Sequence, residues 1–134
     1  MAIRVVKLGS PRASNEGLRL GTVRRPPRGV RKSDFAARDY YDTWLPELAP
    51  SAQLLSWFKH QQPVPDKDWE VFAKRYRAEM TAPEAQHLLD LLANLSLTSD
   101  FAIGCYCERP ERCHRSILEE LLRKHGAEII PDRP

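Results

Sequence analysis

A chain of 134 residues with 42% hydrophobic content is long enough for one core and leaves little room for a second. No apolar run approaches the ~20 residues that cross a bilayer, and Met1-Ala-Ile-Arg-Val-Val-Lys lacks the hydrophobic segment of a secretory signal. A single domain over residues 1–134 is therefore expected, cytoplasmic and without a membrane partner.

Charge is unevenly placed. Twenty-one basic residues nearly balance 18 acidic ones, yet residues 1–32 hold nine Lys/Arg against Glu16 alone, a local net of +8 that leaves −5 for the rest. Such asymmetry predicts a basic face suited to phosphate or carboxylate ligands, set on a more acidic helical body.

In chain order, Ile3, Val5, Val6 and Leu8 form a β-rich run closed by Gly9-Ser10-Pro11, and residues 18–23 alternate as a second strand. The prolines of Arg24-Arg25-Pro26-Pro27-Arg28-Gly29 forbid a helix, so this stretch reads as an extended loop turning guanidinium groups outward. Ser33-Asp34 caps a short turn, and the tract from Asp39 to Pro46 reads as irregular with aromatic anchors. Ser51 caps a helix to about His60 that places Leu54, Leu55, Trp57 and Phe58 on one side, and Pro63-Val64-Pro65 ends it. From Asp66, Trp69, Phe72, Tyr76 and Met80 recur at helical spacing as one buried stripe. Thr81-Ala82-Pro83-Glu84 matches a capping box, with Thr81 as the cap of a leucine-rich helix to about Leu95.

The run 101–107 is apolar with few interruptions, as in a strand buried on both faces of a parallel sheet, and is expected at its centre. Pro110 suits the first turn of a helix to about His125, Gly126 stops it, and Ala127 to Ile130 returns as a strand; residues 131–134 read as a frayed tail. This order of elements predicts a three-layer α/β domain with a mostly parallel sheet flanked by helices.

All three cysteines lie in Cys105-Tyr106-Cys107-Glu108-Arg109-Pro110-Glu111-Arg112-Cys113-His114-Arg115-Ser116. Their odd number and the close spacing of two of them argue for reduced thiols. Ligands of α/β proteins collect where a strand's carboxyl end meets a helix N-terminus. The leading expectation is a phosphate-containing ligand, a small anion, nucleotide or nucleic-acid end. Its contacts would be Arg24, Arg28, Lys32, Arg112, Cys113 and Arg115. An alternative is a hydrolase or transferase with Cys107 or Glu108 as reactive group and His114 as acid or base. A tyrosine-phosphatase loop does not fit, because Cys113 stands where that loop needs its arginine. A third expectation is a structural or protein-interaction module, in which Cys113 and His114 merely continue the stripe of Ile117, Leu118, Leu121 and Leu122, and Arg115 pairs with Glu119. For zinc, Cys105 and Cys107 on one ideal strand stand roughly 6.6 Å apart, and helical neighbours such as Cys113 and His114 diverge by about 100°. On that geometry no metal or other cofactor is expected.

The two motif blocks together resemble the bacterial domain-of-unknown-function family 488, and within it the YeaO-like group. Its C-terminal signature is similar to Cys107-Glu108 followed by Pro110 and Cys113-His114-Arg115, and its N-terminal pattern to Gly17-Leu18-Arg19-Leu20 with Arg24 and Pro27-Arg28-Gly29-Val30-Arg31-Lys32. Val23 stands where many members carry an aspartate, and Pro26 where a tryptophan is common. The resemblance implies a small cytosolic α/β protein whose two blocks meet at one pocket, and supplies no activity.

Overall fold

The computed structural model describes residues 1–58, 64–107 and 112–130. Among these residues, β1 (Ile3–Lys7), β2 (Leu18–Gly21), β3 (Thr43–Trp44), β4 (Phe101–Cys105) and β5 (Ile129–Ile130) form one all-parallel sheet in the order β3-β2-β4-β1-β5. The unbroken apolar sequence of β4 suits its central place, where all five of its residues are buried. Its register sets Ile103 between Val5 and Leu20, and Phe101 between Ile3 and Leu18, on one face of the sheet.

Against that face pack α1 (Ala52–Phe58), α2 (Asp66–Glu79), α3 (Pro83–Ser96) and α4 (His114–Lys124), through Leu54, Phe72, Tyr76, Leu89, Leu118 and Leu122. The opposite face, with Val6 and Ala102, is covered by Leu8, Val23 and Tyr41 from the segments that follow β1 and β2. The result is a three-layer α/β arrangement in which loops and the short 3-10 turn Lys32–Asp34 form the second cover. That cover lies close: a Cβ on Gly21 would stand 2.3 Å from the Tyr41 ring, and one on Gly104 2.8 Å from the Leu8 side chain. Among the described residues no helix is long and apolar enough to cross a membrane.

Several local expectations change. Arg19, counted above in the basic face, is fully buried under the loop layer, where it bonds Glu16 at 2.7 and 2.8 Å and the carbonyls of Ser10 and Asp39. The tract read as irregular contains β3, whose two residues are too few to register as alternation. Thr81 does not cap α3. Pro83 stands at the first helical position with Ala82 as cap, and the Thr81 hydroxyl instead donates back to the Ala78 carbonyl. Helix α4 begins at His114, later than a start near Pro110. His60, Pro63, Glu108, Pro110 and the tail 131–134 lie outside the described residues.

Candidate functional site

The site forms where β4 ends and α4 begins. Cys113 is the residue before the helix and is extended (φ −130°, ψ 151°), so its side chain is not bound to helical spacing. Its Sγ lies 2.8 Å from Cys105 Sγ at the end of β4 and 3.7 Å from His114 Nδ1. Cys107, just past the strand and half-buried, lies close enough to both other thiols for their electrostatics to be linked. The divergence expected from ideal elements therefore does not arise: Cys113 is outside the helix and Cys107 outside the strand.

His114 is buried, and its Nε2–H donates to the Thr22 carbonyl at 2.7 Å, which leaves Nδ1 facing Cys113. Burial holds this imidazole below its ordinary pKa, so the ring is neutral. Burial also raises the Cys105 thiol, and pushes Cys113 up to about 12. Cys107 is shifted well down, first by hydrogen bonding from Cys105 and Cys113, and further by the positive charge of the Arg115 guanidinium. The half-buried Cys107 is thus the sulfur on which negative charge is best tolerated. Donor atoms of Cys105, Cys113 and His114 all lie within 4.8 Å of one another, a set with metal-ligating chemistry.

The remaining candidates divide. Arg115 is fully buried and its Nη2 donates to the Cys107 carbonyl at 2.7 Å; Glu119 meets Arg123 instead. Arg112 bonds the Val64 carbonyl and the Asp66 carboxylate at the start of α2. Arg24 clamps the turn before α1, donating to the carbonyls of Pro50, Pro46 and Ala49 at 3.0, 3.2 and 3.3 Å. Arg28 and Lys32 are exposed, and Glu108 lies outside the described residues.

The two motif blocks touch, through residues 81 to 92 positions apart in sequence. Thr22 donates through both N–H and hydroxyl to the Gly104 carbonyl at 3.0 Å and accepts from His114, while the Tyr106 hydroxyl donates to the Arg25 carbonyl at 2.9 Å. Thr22, Arg25 and Tyr106 were not among the sequence candidates. Thr22 read as strand and Tyr106 as one more apolar residue, and only the parallel pairing of β2 with β4 brings them together. Elsewhere, a groove of about 480 Å3 lined by Arg4, Lys7, Arg12, Glu16 and Ile130 opens beside β1 and shares no residue with this site.

An all-parallel sheet whose central strand ends in a thiol and histidine cluster beside a basic loop defines a small α/β protein with its candidate site at the strand carboxyl ends. The chain belongs to the family whose model, described as "Active DUF488-N3 subclade", matches residues 3–126. It is similar to the uncharacterized protein YeaO of Escherichia coli (strain K12), with 31% identity over 125 residues, 92% of this chain and 98% of that one. It is also similar to the uncharacterized protein Rv3073c of Mycobacterium tuberculosis (strain ATCC 25618 / H37Rv), 28% identical over 120 residues, 90% of this chain and 92% of the relative. No solved structure matches.

Proposed function

We propose that the chain binds a phosphate-containing ligand, a nucleotide or nucleic-acid end, at a basic rim formed by the 25–32 loop over the carboxyl end of β4. The observation that carries this is the Tyr106–Arg25 hydrogen bond, which ties a loop bearing exposed Arg25, Arg28, Arg31 and Lys32 to the residue between Cys105 and Cys107. Like charges crowded on one exposed loop repel one another, and a phosphate accepting from several of them relieves that repulsion.

The rim differs in membership from the six residues expected from sequence. Arg24 and Arg112 spend their donors on the fold, and Arg115 supports the site from beneath. Arg28 and Lys32 stay as direct contacts, joined by Arg25 and Arg31. Calorimetric titration with ATP, inorganic pyrophosphate and a 5′-phosphorylated oligonucleotide tests this. Replacing Arg28 and Lys32 together by Ala should weaken binding by about a hundredfold, at roughly 1.5 kcal/mol for each of the two charged hydrogen bonds lost, without lowering the melting temperature. Arg24→Ala should do the reverse, losing stability because three carbonyls lose their donor. Undiminished affinity in the Arg28/Lys32 double variant would sink the proposal.

A further inference from the structure

We propose that the converging donors of Cys105, Cys113 and His114 bind one thiophilic divalent cation, zinc by donor chemistry, with the neighbouring Cys107 thiol completing the set, as a structural centre beneath the basic rim. Three sulfurs and one imidazole make the Cys3His set of closed, four-coordinate zinc sites. Cys105, Cys113 and His114 already converge, with donor atoms within 4.8 Å of one another, whereas Cys107 Sγ is not one of that group and must swing inward to close it. With Zn–S near 2.3 Å and Zn–N near 2.0 Å, tetrahedral ligands stand about 3.6 Å apart for S···N and about 3.8 Å for S···S. The Cys113 Sγ to His114 Nδ1 separation is 3.7 Å. Cys105 and Cys113, at 2.8 Å, must part by about 1 Å to admit the ion, and both belong to segment ends rather than to the middle of a helix or strand.

The surroundings are those of a ligand set. A metal-binding imidazole is usually fixed by a hydrogen bond from its other nitrogen, which sets the tautomer and aims the lone pair. Here the Nε2–H bond to the Thr22 carbonyl does this, and Nδ1 is left pointing at the sulfurs. The Arg115 main-chain N–H lies against Cys113. Three thiolates and a dication leave one net negative charge, and the buried Arg115 guanidinium, held on the Cys107 carbonyl, supplies its complement. The burial of thiols as small apolar groups is the simpler alternative, but it gives no reason for a histidine lone pair to be aimed at them.

Such a centre would fasten β4, the start of α4 and, through Thr22, the end of β2. It would thereby fix Tyr106 and the loop that Tyr106 holds. No part of the inference depends on the phosphate ligand.

The test uses the full chain, reduced and purified without chelator. Elemental analysis should find about one zinc per chain, and cobalt exchange should give the sulfur-to-metal charge-transfer and intense d–d bands of a tetrahedral thiolate site. All three thiols should react slowly with a disulfide reagent in the zinc-loaded protein and fast after chelation, a comparison that needs no variant to fold. Cys113→Ser and His114→Ala should each lose the cobalt charge-transfer intensity or the metal itself. Reduced wild-type protein that takes up neither zinc nor cobalt in dialysis overturns the inference. So does a cobalt spectrum unchanged in Cys113→Ser, or a thiol reactivity indifferent to zinc.

Discussion

Arg19 and Glu16 form the residue-scale feature on which the loop layer depends. The pair is buried, with Glu16 Oε2 2.7 Å from Arg19 Nε, and the guanidinium also binds two carbonyls from two different loop segments. Removing one partner leaves a buried charge uncompensated, so Glu16→Gln should cost about 3–5 kcal/mol in chemical denaturation, far more than an exposed charge substitution. The same pair gives a pH dependence. Burial pushes the Glu16 carboxyl up, but the hydrogen bond and charge of Arg19 more than reverse this, and the folded carboxyl titrates below its ordinary value. Asp42, which accepts from Arg12 and from the Arg19 main-chain N–H, is likewise lowered. A carboxyl lowered on folding contributes stability that is full above its unfolded pKa and lost as pH falls through the folded value. Urea midpoints should therefore be level near neutrality and fall below about pH 4, and Glu16→Gln should flatten that fall. A mutant whose acid-limb slope equals that of wild type would contradict the assignment.

Elements differ in how well they were legible. The helices with long apolar periodicity are found where their stripes predict, with Phe72, Tyr76 and Met80 buried, and Ser51 caps α1 through its bond to the Leu54 N–H. The apolar run 101–107 is indeed the central strand up to Cys105. Short elements were not legible. β3 exists because β2 offers an open edge, and α3 starts where Pro83 fits rather than where Thr81 would cap. The start of α4 mattered most, since one residue's change from helical to extended at Cys113 turns two diverging donors into converging ones. The element-scale prediction concerns β4 itself. Gly104 faces β1 and the Leu8 side chain so closely that an added methyl would meet the Val6 carbonyl at 2.7 Å. Gly104→Ala should destabilise by about 1–3 kcal/mol, as overpacking does, and a variant as stable as wild type would show that the sheet can yield there.

At the scale of the whole molecule, the residues identified both motif blocks, while their meeting was implied only by the family resemblance. The cysteine turn and the arginine loop were legible because each combines unusual residues at the end of a strand. What joined them was strand order: β2 and β4 are neighbours only because the chain crosses from β1 over the place that β4 later fills. Strand order also sorted the cations. Arg19 and Arg24 went to the fold, Arg115 to the floor of the site, and Arg25, Arg28, Arg31 and Lys32 remain exposed. The asymmetry in charge noted in the first 32 residues is thus partly internal structure and partly surface.

If the two blocks act as one ligand site, amide chemical shifts followed during titration with ATP must change in both. The N–H signals of Arg25, Arg28 and Lys32 should move together with those of Tyr106, Cys107 and Arg115, along one binding curve. Shifts confined to the 25–32 loop, or absent from both blocks, would contradict it.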